Sequence, residues 1–346
     1  MKPDARPVFE KALSLEQAGQ CEAALGAYLD ALDLDPENMD IAYRAATALL
    51  RNGHLDEAVS QLRRIVFVDP DHIGARANLG NCQLLLGDLG NAETNFEHVL
   101  QVAPNNHNAL YGLASVRLKQ GRAEAAQAPA TQLAALIPDS VPALTLYAET
   151  RAHDPQASAA IAAFRKALAI DRSYAPALTG LADLLIRRRR GPEARGLAEE
   201  ATRLDPANPV AWKILGEAFQ LNGAFEDAYR AFDTAHRKAP GDASHLVRLS
   251  VVSRKLGELG RALAHAFAAV VMDPGNKAAL NALGAALTGL GESTLGRTVL
   301  QCAANWARLD ADTLARIRGV MDRDAKLPLT PKMPETGTTN EPEKAG

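Results

Sequence analysis

The 346-residue chain has three cysteines, two tryptophans and only 5% aromatic residues, and each shortage removes a class of answer. Cys21, Cys82 and Cys302 are odd in number, far apart and outside any CxxC pair. Neither a disulfide framework nor a thiolate metal site is expected, and a reducing compartment fits. There is no run of about 18 uninterrupted apolar residues, and the amino terminus, MKPDARPVFEKALSLEQAGQ, lacks an apolar stretch of signal-peptide length. The reading is a cytoplasmic chain with no membrane insertion. A formal net charge of −3 gives no reason to expect nucleic acid as a partner. The sequence also lacks GxxxxGK[ST], GxSxG and HExxH, and no GxGxxG follows a strand pattern. Its eight histidines are scattered, with no recurring ligand spacing, and His98 and His236 read as surface or packing residues. No catalytic, cofactor-binding or metal residue is assigned, and the chain reads as a non-enzyme.

What is present is a beat. Prolines stand at 36, 70, 104, 138, 206, 240 and 274, every step a multiple of 34, with Arg172 in the one gap. Glycines keep the same register at 19, 53, 87, 121, 223, 257 and 291, and alanines at 24, 58, 92, 126, 160, 194, 228 and 262. A fixed period of this length signals stacked repeats. Between glycine and proline lies helix-compatible sequence such as GDLGNAETNFEHVLQVAP, with Ala92, Phe96, Val99 and Leu100 on one face. Each unit is therefore a helical hairpin. The glycine supplies a left-handed turn residue, the proline stops the second helix, and the alanine lets two helices cross closely.

This pattern resembles the tetratricopeptide repeat. The stretch AWKILGEAFQLNGAFEDAYRAFDTAHRKAP carries the family signature, with Trp212, Leu215, Gly216 and Phe219 on the first helix and Ala228, Phe232, Ala235 and Pro240 on the second. In that register nine units run 5–38, 39–72, 73–106, 107–140, 141–174, 175–208, 209–242, 243–276 and 277–310. The resemblance implies an all-α fold, a right-handed α-solenoid of helix-turn-helix units whose first helices line a concave groove.

Departures from the pattern carry their own expectations. The fifth and sixth units lack the glycine. The fifth turns through His153-Asp154-Pro155, where Asp154 is suited to cap the next helix and Pro155 to open it. Pro129 falls inside the second helix of unit 4, and Ala130 replaces the large residue seen at Tyr28, Leu62, Phe96, Phe164 and Phe232. A kink is expected near 121–140, separating units 1–4 from 5–9. The basic run Arg187–Arg190 has no interleaved aromatics and is diluted by Glu193, Glu199 and Glu200, so it reads as a solvated turn. Beyond the repeats, Leu314, Ile317 and Met321 share a face of a capping helix over 311–324. Residues 325–346 are proline-rich and nearly devoid of large apolar residues, and read as a disordered tail.

Candidate binding residues lie one step round the first helices from the packing face. In unit 2, Ala42, Ala45, Ala46 and Leu49 form the packing stripe, leaving Asp40, Tyr43, Thr47 and Leu50 on the neighbouring one. Down the stack, Phe9, Tyr43 and Tyr111 make one apolar row, and Leu50, Leu84 and Leu118, with Leu85 beside them, another. Further on the same surface carries three carboxylates, Glu149, Asp183 and Glu217. The leucines have a second role open to them, sealing neighbouring helices. Asp183 could pair with Arg187 and Glu217 with Lys213. A chaperone-tail clamp of Lys and Asn does not fit, since Ala77, Gly112 and Glu217 stand where clamp residues are needed.

The leading expectation is a non-catalytic scaffold or adaptor that holds an apolar protein or peptide segment, with basic residues steered to the carboxylates. Two others stand beside it. One is a self-assembling structural protein forming homo-oligomers. The other is an accessory subunit of an enzyme or assembly complex for envelope polysaccharide, protein glycosylation or appendages.

Overall fold

The computed structural model describes residues 1–154, 157–305 and 307–324. Among them are nineteen helices and no strand, an all-α helical-repeat solenoid. The chain divides into two compact units, Met1–Arg188 and a second beginning at Arg189. The first holds α1 (Ala5–Gln17), α2 (Cys21–Leu34), α3 (Met39–Arg51), α4 (Leu55–Val68), α5 (Ile73–Leu86), α6 (Leu89–Val102), α7 (His107–Lys119), α8 (Ala123–Leu136), α9 (Val141–Thr150), α10 (Ser158–Ile170) and α11 (Ala175–Arg187). In the second are α12 (Gly191–Leu204), α13 (Pro209–Leu221), α14 (Phe225–Lys238), α15 (Ala243–Lys255), α16 (Leu259–Met272), α17 (Lys277–Gly289), α18 (Ser293–Ala304) and α19 (Ala311–Asp324).

Local sequence explains the punctuation. Gly19, Gly53, Gly87, Gly121, Gly223, Gly257 and Gly291 all adopt positive φ, and a Cβ at any of them would meet nothing within 4 Å. These glycines serve the backbone turn alone. Where the glycine is missing, Ala157 and Arg189 take the left-handed conformation at φ 46° and 62°. The fifth hairpin thus departs from expectation. α10 starts at Ser158 with Ala157 at its N-cap, and Asp154 does not cap it. The Asp154 carboxylate is instead occupied by Gln127 at 3.2 Å and Arg151 at 3.7 Å; Pro155 lies outside the described residues.

A second periodic device sits two residues after each proline. The side chains of Asn38, His72, Asn106, Ser140, Asn208, Asp242 and Asn276 each accept a backbone N–H at the start of the following first helix. Such caps contribute about 1 kcal/mol apiece. Two of the nine first helices lack such a cap, α1 behind Asp4 and α11 behind Tyr174.

Packing in the first unit turns on large side chains seated against small ones. Phe96 is fully buried, and a Cβ at Gly80 or Gly112 would fall 2.8 Å or 2.2 Å from its ring. Pro129 sits inside α8 and has no N–H to offer the Ala125 carbonyl one turn back. The Arg117 guanidinium takes that place, donating to Ala125 O at 3.0 Å while also holding Glu93 at 3.0 Å and Glu97 at 2.8 Å. Burial would raise the Glu93 carboxyl, but hydrogen bonds from Arg117, Gln120 and Arg122 hold it below the ordinary carboxylate range. The kink proposed for 121–140 rests on this proline.

In the second unit α19 covers α16, burying Ile317 and Val320 in the core cluster, with Met321 packed alongside. Leu314 is half-buried. The tail expected at 325–346 lies outside the described residues. This unit also holds one buried and one half-buried imidazole. His245 is only 2% exposed, and burial lowers its pKa despite Asp242 at 3.6 Å and the Ala239 carbonyl, with Lys213 and His236 adding to the lowering. His265, its Nε2 3.1 Å from the Tyr229 hydroxyl, is lowered by burial and then by His236. In the unfolded chain both protonate near about pH 6.5. Below that value the unfolded chain binds more protons than the folded one, so stability is full above it and falls as the pH drops. Urea midpoints should therefore fall between about pH 7.5 and 5.5, and His245→Leu should flatten the fall. Equal slopes in the two proteins would refute the assignment.

Candidate functional site

Successive first helices of the first unit lie side by side, α3 against α5, α5 against α7, α7 against α9 and α9 against α11. They present the two apolar rows with different accessibility. Phe9, Tyr43 and Leu50 are half-buried and pack on the amino-terminal core, as Leu84 and Leu118 do on the next two clusters. The leucines therefore do seal helices. Tyr111 and Leu85 are the open members, 41% and 62% exposed. Tyr43 is held in place: its ring lies 4.9 Å from that of His72, and its hydroxyl covers Gly74, where a Cβ would meet it at 2.5 Å. Beside it, Asn78 donates to Thr47 Oγ1 at 3.1 Å. This patch is a pre-set surface of aromatic faces and polar edges.

The carboxylate row is electrostatically uneven. Asp183 is bound by Arg187 at 2.8 Å, the intrahelical partner that the spacing suggested. Glu217, in the second unit, is bound at 2.7 Å by Arg248 of the next first helix, in place of the Lys213 pairing considered from spacing. Glu149 differs from both. It is half-buried, burial pushes its carboxyl above the ordinary range, and no hydrogen bond or charge among the described residues offsets that.

Two features escaped the sequence reading. Tyr174, the non-capping N-cap of α11, stands close enough to Glu149 for the carboxylate to raise its phenol, after burial as the main cause. In the second unit a cleft of about 290 Å³ is lined by Gln220, Ser244, Val247, Arg248, Val251 and Asn276. Val247 and Val251 continue the same two rows at 34-residue steps from Lys213 and Glu217, so this stretch is less acidic than expected. The signal was in the periodicity: the rows needed following one unit further.

Two family models described as tetratricopeptide repeat match the sequence, one over residues 9–70 and 43–107, the other over 83–150 and 152–218. No curated protein gives a significant match. Among solved structures the chain is similar to a tetratricopeptide repeat protein from Parabacteroides merdae, at 16% identity over 72% of this chain and 99% of that one, with a TM-score of 0.60. It is also similar to a chain of the APC/C hetero-tetramer Cut9–Hcn1, at 18% identity over 81% of this chain and 55% of that one, with a TM-score of 0.66. At such identities the likeness shows the fold alone. No described helix is long and apolar enough to cross a membrane, and no described group of three or more His, Cys, Asp or Glu is placed to hold a metal ion. The matched segments together run from residue 9 to residue 218, more than half of the chain, and they coincide with the stacked hairpins. The chain belongs to the tetratricopeptide repeat family, whose repeats generally mediate protein–protein interactions and are typically non-catalytic.

Proposed function

We propose that this protein is an adaptor that holds an extended or helical segment of a partner protein against the first-helix face of residues 1–188. The observation that carries the reading is the aromatic row on that face, with Tyr43 locked against His72 and Tyr111 open to solvent. Rigid aromatic rings bind with little loss of side-chain entropy, and covering them removes apolar area from water at about 25 cal/mol per Å². Neither ring is among the fully buried side chains of the hairpin core, which Tyr28, Phe96 and Phe164 fill, although Tyr43 packs on the edge of that core. The partner favoured is apolar with basic residues, because Glu149 on the same face has no cation of its own.

A tagged pull-down from the cells of origin, run beside a Tyr43→Ala/Tyr111→Ala variant, tests this. The variant is expected to lose the partner while keeping its helical content, with the melting temperature lowered only by the packing that Tyr43 loses on the core edge. Undiminished capture would remove the groove reading, and recovery of the bait alone would favour self-assembly.

A further inference from the structure

Resting on the groove reading above, we infer that Tyr111, Glu149 and Tyr174 form a subsite for one arginine side chain of the partner segment. The three residues come from adjacent elements: Tyr111 from α7, Glu149 from α9 and Tyr174 from the start of α11, helices that pack in that order. The repeat register sets them on one face: Tyr111 lies in the row of Tyr43, Glu149 in that of Thr47, and Tyr174 at the position from which His72 reaches the Tyr43 ring at 4.9 Å. The Tyr111 phenol is raised by burial and then by Tyr174 and Glu149, that of Tyr174 by burial and then by Glu149 and Asp171.

Two independent sacrifices of stability converge here. The first is the carboxylate. Glu149 is half-buried without a hydrogen bond or counter-charge among the described residues, and a charge removed from water without a partner destabilises the fold. Neighbouring cations are occupied elsewhere. Arg151 lies over the Tyr147 ring at 4.8 Å and faces Asp154 at 3.7 Å, and Arg187 is bound to Asp183 at 2.8 Å. The second is the cap. Seven of the nine first helices are capped by a side chain at the position that Tyr174 occupies before α11; Asp4, which opens the array, and Tyr174, inside it, do not cap. A polar capping residue is exchanged for an aromatic face, beside the carboxylate that lacks a partner.

A guest that relieves both has to be cationic and flat. Guanidinium meets both demands, since it stacks on aromatic faces and bonds a carboxylate through two parallel N–H groups. The ammonium of lysine supplies the charge without the plane. The chain's own Arg151 already stacks on Tyr147, on the helix that carries Glu149.

The test uses the full chain, ring-labelled at tyrosine for NMR, titrated with the capped tripeptide Ac-Leu-Arg-Leu-NH2 and its citrulline counterpart. Citrulline keeps the shape and removes the charge. The arginine peptide is expected to shift the Tyr111 and Tyr174 ring signals saturably. Binding should weaken about tenfold, the value of one charged pair, for the citrulline peptide and again for Glu149→Gln with the arginine peptide. Glu149→Gln should melt at or above the wild-type temperature, which a carboxylate with a structural role would not allow. Equal binding of both peptides, no shift at millimolar peptide, or a lowered melting temperature would overturn the proposal. The two readings fail separately. If the Tyr43/Tyr111 variant loses its partner while Glu149→Gln changes neither capture nor peptide affinity, the groove stands and the arginine subsite falls. If capture survives the tyrosine pair but the arginine peptide still depends on Glu149, the subsite stands alone.

Discussion

Phe96→Ala is expected to destabilise the first unit by about 3–5 kcal/mol, and Gly112→Ala, the addition of one methyl group, by about 2 kcal/mol. Phe96 has no exposed surface, and its ring fills the space left by two glycines. At Gly112 the new Cβ would come within 2.2 Å of the ring, which is hemmed in because Gly80 also lies so close that a Cβ there would fall 2.8 Å from it. Overpacking of that kind costs about 3 kcal/mol, against which the better helix propensity of alanine returns about 1 kcal/mol. The clash wins. Urea denaturation followed by circular dichroism gives the single values, and the double variant Phe96→Ala/Gly112→Ala closes the cycle. The double should cost clearly less than the sum, since the methyl then enters the hole the ring has left. Additive losses would mean that the two residues do not share this space.

Arg117→Ala is expected to cost about 3 kcal/mol, a large effect for a side chain on a helix flank. Only 17% of its side chain and 16% of that of Glu93 is exposed, so solvent screens the pair weakly. Its loss strips Glu93 of one donor, frees Glu97 and leaves the Ala125 carbonyl without the partner that Pro129 denies it. Pro129→Ala restores a backbone N–H to that carbonyl. In the Pro129→Ala background the cost of Arg117→Ala should therefore drop by about 1 kcal/mol, the net worth of one hydrogen bond. The same denaturation cycle reads it. An unchanged cost would show that the Arg117 bond to Ala125 contributes nothing to stability.

The architecture was legible because periodicity writes it in three residue types at once, and Gly53, Ala58 and Pro70 do in one hairpin what their equivalents do in the others. The capping series was equally periodic. Asn38, Asn106, Asn208 and Asn276 stand at 34-residue multiples, and the interruption at Tyr174 was on view in the letters. Side-chain partnerships were harder to read. The Asp183–Arg187 pair follows from one helical turn, but Glu217 reaches Arg248 across two helices, and no spacing rule within a helix finds that. The turn at Asp154 failed for a related reason. Its carboxylate had better partners in Gln127 and Arg151, one of them 27 residues away. Groove chemistry is decided by which charges remain unanswered after such long-range pairing, and that quantity exists only in three dimensions.

Among the described residues the main helix–helix contacts in each unit run from one helix to the next or the next but one, except where α19 reaches α16. The structure therefore has almost no distant ends to bring together, and the loop-closure entropy that slows β-rich proteins hardly arises. A hairpin can form as soon as its roughly 34 residues are available and its predecessor offers a surface. Within each unit a hairpin made later meets a template already in place, so folding there is expected to follow the order of synthesis.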